Sequence, residues 1–334
     1  MTRGHRSCIL LAVAVVLLFV ANLLIGSVEI PFHTVLDILS GRGAEHSAWR
    51  YIILESRLPQ ALTALLSGAS LAVSGLMMQT VFRNPLAGPD VFGVNSGASL
   101  AVALLMLLPA SLFSFSHLAT SLSTLAAAFA GSMAVMGIIL FFAVRVRSHV
   151  LLLIIGIMIG YLSSSGVMLL NFFATEEGVH SFLMWGMGNF GGVSMAQMPL
   201  FAVVTVMGLA GALLQVKSLN ALLLGSQYAE NLGVNIRRVR TNMLLLTGIL
   251  TAVVTAYCGP IAFVGLAVPH IARLLLSTEN HRQLLPATIL AGAVIALLCN
   301  LACCLPGSGA VIPLNAVTPL VGAPVIIYVI ARRR

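Results

Sequence analysis

The chain has 334 residues, of which 59% are hydrophobic and only 8% are charged, and its mean hydropathy is +1.06. Charged residues make up about a quarter of an ordinary soluble domain, so this composition excludes a water-soluble globular protein. The formal net charge of +8 would suit a nucleic-acid partner. In a membrane protein, however, the informative feature is which loops carry the lysines and arginines.

Apolar blocks recur along the whole chain, each of about 17 to 25 residues, which is the length that crosses about 30 Å of hydrocarbon. We therefore predict an all-α polytopic membrane protein with about ten transmembrane helices, in a single transmembrane domain over residues 1–334. The predicted spans are 8–28, 59–81, 91–108, 118–144, 149–173, 195–215, 240–257, 260–276, 284–305 and 310–330.

The distribution of basic residues predicts the orientation of the chain. With the N-terminus in the cytoplasm, all 17 lysines and arginines except Arg42, Arg50 and Arg57 fall in inside loops or tails. This is the asymmetry of the positive-inside rule, and it favours an even number of crossings. We expect an inner (plasma) membrane protein with both termini in the cytoplasm, whose basic charge marks topology and no nucleic-acid partner.

The first predicted span has a second interpretation. A basic start followed by the apolar run Ile9–Ile25 could also be a cleaved signal peptide. The run is longer than the usual apolar region of a signal peptide, and no clear A-x-A site follows, so we favour a membrane span.

Helix-breaking pairs interrupt the chain before the third and eighth predicted spans. Asn84 and Pro85 form one such pair, and Gly259 and Pro260 form another. Irregular backbone at membrane depth is tolerated only where protein buries it or a water-filled cavity adjoins it. These four residues are therefore candidates for a translocation pathway, with ordinary kinks between packed helices as the alternative.

The loop between the sixth and seventh predicted spans has a distinct character. It reads KSLNALLLGSQYAENLGVNIRRVR, and the segment Asn220–Asn231 predicts one short amphipathic helix that Gly233 ends. Such a helix is too polar to cross the membrane and too structured for a plain connector. We predict a docking element for a cytoplasmic partner, and the alternative is a helix that lies flat on the bilayer.

Several kinds of chemistry have no signature in this sequence. There is neither a G-x-x-x-x-G-K-[ST] loop nor a G-x-G-x-x-G turn, so any ATP chemistry must come from a partner. The cysteines and histidines show no metal-ligand spacing, so we expect no bound metal and no cofactor on this chain. A secondary transporter would need a coupling carboxylate, for which only Asp90 is placed, and the spans offer no catalytic pair of acids for an intramembrane enzyme.

Four long segments resemble one known family, in that family's order. They are RLPQALTALLSGASLAVSGLMMQTVFRNPLAGPDVFGVNSGA at 57–98, LNALLLGSQYAENLGVNIRRVR at 219–240, GPIAFVGLAVPHIARLL at 259–275 and NAVTPLVGAPVIIYVI at 315–330. Together they resemble the FecCD/BtuC-like permeases, the membrane subunits of type II ABC importers for iron-siderophore, haem or cobalamin. The resemblance covers nearly the whole chain.

The resemblance implies a homodimer of ten-helix subunits that sits on two ATP-binding subunits, which carry ATP and magnesium, and beneath a periplasmic or surface binding protein. It makes 217–239 the coupling-helix loop, and it makes the fifth span, with Gly156, Gly160 and Ser164, a wall of the pathway. Arg57 matches an arginine that receives an acidic residue of the binding protein. The coupling residues that it implies are Asn220, Leu224, Gly225, Ala229, Leu232 and Gly233.

Two departures from the family concern docking. The family's RLPR reads RLPQ here, with Gln60 in place of an arginine, and a second family arginine is replaced near Cys303. Arg42 and Arg50 could compensate, or the binding protein could dock differently. The cargo is not encoded in these features; we expect an iron chelate, either siderophore or haem, with cobalamin as the alternative.

Overall fold

The computed structural model describes residues 3–26, 28–41, 47–108, 117–146, 148–231, 233–304 and 312–332. A π-helical turn at Ile52–Arg57 leads into α4, and a short 3-10 helix at Phe190–Gly192 follows α8. The α-helices are α1 (Arg3–Leu24), α2 (Phe32–Leu39), α3 (Ser47–Tyr51), α4 (Leu58–Phe82), α5 (Val94–Met106), α6 (His117–Arg145), α7 (His149–Phe173), α8 (Glu176–Gly186), α9 (Met198–Leu214), α10 (Val216–Leu223), α11 (Ser226–Asn231), α12 (Ile236–Cys258), α13 (Val264–Leu276), α14 (His281–Cys303) and α15 (Leu314–Arg332).

Ten helical segments of the described chain correspond to the ten predicted spans. Six are long and apolar enough to cross a membrane alone: Gly4–Leu24, Ala48–Phe82, Leu122–Arg145, Val150–Phe173, Ile236–Cys258 and His281–Cys303. Helices α9 and α10 pass the same test together as a pair bent by 49°. The remaining three are the shorter apolar helices Val94–Met106, Val264–Leu276 and Leu314–Val329. The predicted all-helical polytopic fold is thereby confirmed.

Helices α5 and α13 are short because left-handed residues set where they begin. Gly93 (φ +75°) precedes α5, and Phe263 (φ +68°) precedes α13. Each helix has 13 residues and so is about 20 Å long, shorter than the hydrocarbon core of about 30 Å. The start of α5 lies beside the middle of α6, where the Ser132 hydroxyl donates to the Val94 carbonyl over 3.3 Å. The irregular segment before α5 therefore lies inside the bundle.

Helix α4 is the central element of the bundle, buried along most of its length. It packs on α14 where Gly68 faces Gly292, so closely that a Cβ added to Gly68 would lie 2.2 Å from the Gly292 carbonyl oxygen. It packs on α13 at Gly75 and Gly265, where an added Cβ would lie 1.6 Å from the facing carbonyl oxygen. Small residues at these crossings let the helix backbones touch, as is common in membrane helix pairs.

Other helices leave apolar faces uncovered in the single chain. On α7, Met168 is 74% exposed and Phe172 is 81% exposed. On α9, Val206 and Met207 are also exposed. Apolar surface of this extent requires contact with lipid or with another protein surface.

Candidate functional site

The basic residues of the predicted inside loops gather at one end of the bundle, which we call the basic end. Arg83 follows α4, Arg145 ends α6, Arg237 lies in the first turn of α12, Arg273 lies near the end of α13 and Arg282 begins α14. Cavities at this end bring these helix ends together with α10 and α11. The charge asymmetry read from the sequence is therefore a real feature of the surface.

At the basic end the predicted docking loop forms two helices, and the prediction of one helix over Asn220–Asn231 is wrong. The chain breaks between α10 and α11 at Gly225, whose φ of +115° is a conformation that glycine adopts without strain. Helix α11 ends as predicted near Gly233 (φ +79°), whose N–H donates to the Glu230 carbonyl over 2.8 Å. The loop is therefore a compact helix–break–helix unit.

The side-chain amide of Asn220 is one of the groups that fasten this unit to the membrane helices. The Oδ1 of Asn220 accepts from the His281 backbone N–H over 2.8 Å and lies 3.0 Å from the His281 Nδ1. The Nδ2 of Asn220 donates to the Oδ1 of Asn280 over 3.0 Å. Because Oδ1 can only accept, the Nδ1 of His281 must carry a proton. The amide thus joins α10 to the first turn of α14.

The contact continues from α14 into the central helix. His281 is fully buried, and its Nε2 lies 3.0 Å from the Oγ1 of Thr80, in the last turn of α4. A second connection comes from Arg83, whose Nη2 donates to the Leu222 carbonyl of α10 over 3.0 Å. Movement of α10 would therefore pull on both α14 and α4.

A parallel set of polar contacts joins α4 to α13. The Gln79 amide donates to the Leu266 carbonyl over 3.1 Å and accepts from the Arg273 guanidinium. Arg273 also forms an ion pair with Glu279, with 3.0 Å between Nε and Oε2. Glu279 directly precedes Asn280, so the same turn serves both sets of contacts.

The docking loop exposes apolar side chains beside polar ones such as Gln227 and Glu230. Leu224 is 63% exposed, Tyr228 is 55% exposed and Leu223 is 44% exposed. By contrast, Ala229 is fully buried beneath them. Exposed apolar side chains on a structured element suit a protein partner. Of the residues implied for coupling, Leu232 lies outside the described residues.

The predicted pathway residues fall in separate places. Ser164 and Pro260 line one cavity of about 430 Å³, together with Asn95, Ser96 and Asn171. Its wall is formed by hydroxyl, amide and apolar groups, which suits weak contact with a polar solute. Ser164 of the fifth span and Pro260 of the Gly-Pro break therefore lie at the same cavity.

The two glycines of the fifth span have different surroundings. Gly160 adjoins the cavity, since a Cβ added there would lie 3.6 Å from the Ser96 hydroxyl. Gly156 instead packs against backbone, with an added Cβ 2.8 Å from the Phe92 Cα. Gly259 (φ +73°) is also a point of close approach, 2.4 Å from the Trp185 carbonyl oxygen by the same measure.

Asn84 and Pro85 lie at the basic end, away from that cavity. The Asn84 side chain accepts from the Leu86 backbone N–H over 2.9 Å, and the Pro85 carbonyl accepts from the His270 Nε2 over 2.8 Å. Pro85 lines a second cavity of about 290 Å³ beside Leu222 of α10. A role of this pair in the pathway stays a prediction.

Asp90 belongs to a polar cluster that sequence inspection missed. It accepts from the Asn95 amide and from the Phe263 backbone N–H, and Asn95 in turn accepts from the Thr255 hydroxyl over 2.8 Å. A polar side chain within an apolar span must find partners. That rule could have singled out Asn95, Thr255, Thr80 and His281, although not their pairing.

The sequence profile of the FecCD transport family matches residues 14–332. The chain belongs to this family. It is 34% identical over 327 residues to the hemin transport system permease protein HmuU of Yersinia pestis, covering 97% of this chain and 95% of that protein. It is 36% identical over 291 residues to the vitamin B12 import system permease protein BtuC of Vibrio cholerae, covering 86% of each.

A solved structure agrees with the family assignment. An inward-facing conformation of a metal-chelate type ABC transporter superposes with a TM-score of 0.82 and 31% identity, covering 97% of this chain and 98% of that chain. The protein is thus the permease subunit of a type II ABC importer, a class that works with ATP-binding and substrate-binding partners. The fold predicted from the four family segments is confirmed.

Arg57, which matches the family's docking arginine, is buried here, with 6% of its surface exposed. Its Nη1 donates to the carbonyls of Leu23 and Leu24 over 2.9 and 2.8 Å, and its Nη2 donates to the Val28 carbonyl. In this conformation the guanidinium caps the end of α1, so docking by Arg57 stays a prediction. Arg50 is exposed, and Arg42 lies outside the described residues.

Replacing Arg57 by glutamine should destabilise the protein, because the carbonyls of Leu23, Leu24 and Val28 lose their donor. The expected loss is about 1–3 kcal/mol, measured as unfolding of the purified transporter in detergent, with Arg50→Gln as the exposed control. Unchanged stability combined with weaker affinity for the binding protein would contradict the capping role and assign Arg57 to docking.

Proposed function

We propose that this permease imports a metal chelate across the inner (plasma) membrane as a homodimer, with two ATP-binding subunits at its basic end and a binding protein at the opposite end. The observation that carries the proposal is the helix–break–helix unit α10–α11, which exposes Leu224 and Tyr228 on its outside and is bonded to α14 and α4 inside. The basic end is then cytoplasmic, and both termini lie on that side.

In this proposal, ATP hydrolysis by the partner subunit moves the permease through contacts with α10 and α11. The exposed Leu224 and Tyr228 contact the ATP-binding subunit, while Gly225 and Gly233 fix the shape of the loop. Asn220 passes its movement to α14 and α4. ATP and Mg²⁺ bind to the partner subunit, and this chain itself carries no cofactor.

The uncovered face of α7 supports a second copy as partner. Ser164 lies exposed on this helix beside Met168, which lines the same cavity of about 430 Å³. In a homodimer, two such faces would enclose a pathway with hydroxyl and thioether walls. Such walls bind a bulky chelate weakly, which permits release on the inner side.

The cargo we propose is an iron chelate, either a siderophore or haem, and the alternative is cobalamin. Of the two relatives named above, the Yersinia pestis protein is described as a hemin permease and the Vibrio cholerae protein as a vitamin B12 permease. Both cargos are bulky chelates, in keeping with the uncharged cavity wall.

The test is uptake into vesicles that contain the permease, its ATP-binding subunit and its binding protein, supplied separately with iron-siderophore, haem and cobalamin. We expect accumulation of one iron chelate that requires ATP. Accumulation of cobalamin alone would assign the alternative. A complex that hydrolyses ATP yet accumulates none of the three would overturn the proposed cargo.

Asp90→Asn in the same vesicles separates this function from secondary transport. Asparagine keeps one acceptor oxygen where the carboxylate has two, so at most one of the hydrogen bonds from the Asn95 amide and the Phe263 N–H is lost, and uptake should fall by no more than about tenfold, the effect of one neutral hydrogen bond. Asp37→Asn on the exposed face of α2 is the control. Loss of uptake with intact ATP hydrolysis would instead point to a coupling carboxylate.

A further inference from the structure

A basic cavity lies beside the docking loop and is separate from the cavity at Ser164. It measures about 570 Å³ and is bounded by the ends of α4 and α6, the start of α12, and α10–α11. Among the described residues, three arginines line it, namely Arg83, Arg237 and Arg240, together with one acid, Glu230. The remaining lining is apolar apart from backbone, and the net charge of the wall is therefore positive.

Arg240 is the residue that this cavity leaves unsatisfied. Its Nε and Nη2 are enclosed and have no hydrogen-bond partner among the residues that the structure describes. Its guanidinium carbon lies 5.6 Å from the centre of the Phe82 ring, which offers only a weak cation–π contact. Buried charged groups are ordinarily paired with an acceptor of opposite charge, so the surroundings of Arg240 are those of a site that lacks its anion.

The protein itself does not supply that anion in the described part of the chain. The ion pair found there joins Arg273 to Glu279, outside this cavity, so Glu230 is not within ion-pair distance of Arg237 or Arg240. Arg83 uses one nitrogen on the Leu222 carbonyl. Arginine forks bind phosphate and carboxylate anions through paired charge-assisted hydrogen bonds.

The position of the cavity indicates where a phosphate would come from. On α6 the exposed apolar residues Ile138, Phe141 and Val144 follow one another at intervals of three and form a stripe along one face. Val144 is also part of the cavity wall. The stripe therefore reaches the wall of the basic cavity at Val144, and the Arg145 guanidinium lies 3.7 Å from the centre of the Phe141 ring beside it.

We propose that the cavity lined by Arg83, Arg237 and Arg240 binds the phosphate headgroup of an anionic lipid, whose acyl chain lies on the stripe of α6. Basic pockets between helices at a membrane surface are suited to this kind of ligand. The site adjoins Leu222 and Glu230 of the docking loop, so a bound lipid would also brace that loop. This last consequence rests on the proposed function, whereas lipid binding does not.

The experiment measures lipid retention by the purified transporter complex with native mass spectrometry. The delipidated complex is titrated with phosphatidylglycerol, phosphatidylcholine or inorganic phosphate. We expect retention of phosphatidylglycerol, little retention of phosphatidylcholine, and no displacement of the lipid by equimolar phosphate. Displacement by equimolar phosphate would overturn the lipid as the source of the anion.

Variants test the site itself. Arg240→Gln and Arg237→Gln should each weaken phosphatidylglycerol binding by about fivefold, the effect of one basic residue near an anionic headgroup. Arg238→Gln is the matched control, since Arg238 is exposed on the same turn of α12 and does not line the cavity. Equal retention in all three variants would overturn the proposal.

Arg237→Gln keeps the test valid if Arg240→Gln fails to fold, because Arg237 is exposed at the start of α12.

A different result would assign the cavity to a protein partner. If Arg240→Gln releases the ATP-binding subunit while phosphatidylglycerol retention is unchanged, an acidic side chain of that subunit is the ligand and the lipid proposal is wrong. Loss of lipid binding with unchanged uptake would retain the site but remove its bracing role.

Discussion

Uptake falls by at least about tenfold when Asn220 is replaced by alanine, while ATP hydrolysis by the partner subunit falls far less. The reason is that the Asn220 oxygen is the acceptor for two donors of His281, the backbone N–H and the ring Nδ1. A buried donor left without an acceptor costs about 1–3 kcal/mol, so α10 and α14 would separate. The measurement is the ratio of chelate imported to ATP hydrolysed in reconstituted vesicles.

Two further variants show whether the hydrogen bonds themselves matter. Asn220→Asp keeps an acceptor for both His281 donors and should retain more uptake than the alanine variant. Asn231→Ala removes a comparable amide from the exposed end of α11 and should behave like the unaltered protein. If Asn220→Ala and Asn231→Ala gave the same ratio of import to hydrolysis, transmission through Asn220 would be refuted.

The spans could be predicted because their signal is local. The predicted span 240–257 and the observed helix Ile236–Cys258 differ only at their ends, as do 284–305 and His281–Cys303. A run of apolar residues long enough to cross a bilayer depends on no distant part of the chain. The orientation signal is equally local, because it counts charges in loops.

Some shorter elements were missed although the sequence marks them. Helix α8 lies between the predicted spans 149–173 and 195–215. Thr175 caps it, accepting from the Gly178 N–H over 3.3 Å, and Glu176 and Glu177 occupy its first turn. A threonine followed by two acids is a helix-start signal. The sequence therefore contained enough information to predict this helix.

The contacts that form the candidate site could not be predicted from the sequence. Asn220 and His281 are 61 residues apart in sequence, and the chain between them crosses the bundle twice. Nothing local distinguishes Asn220 from Asn231, which lies in the same loop and is exposed. The burial of Arg57 could not be predicted either, because it depends on carbonyls of α1, in a distant part of the sequence.

Gly75→Ala should prevent correct packing of α4 on α13 and produces the largest loss of stability that we expect. The added Cβ would lie 1.6 Å from the Gly265 carbonyl oxygen and 2.5 Å from its carbon, where no side-chain rotation can make room. Overpacking in a rigid core costs about 1–3 kcal/mol or more, and a clash with backbone belongs at the upper end. The measurement is the fraction of folded protein extracted from membranes, together with its thermal unfolding.

Gly137→Ala is the matched control, since a Cβ added at this exposed position of α6 meets no atom within 4 Å. That variant should be as stable as the unaltered protein or slightly more stable, because alanine favours the helix over glycine by about 1 kcal/mol. Because α13 also carries Arg273, which contacts Gln79 of α4, any folded Gly75→Ala protein should also lose that contact and import less chelate per ATP. Equal stability of the two variants would mean that α4 and α13 are not in backbone contact at Gly75.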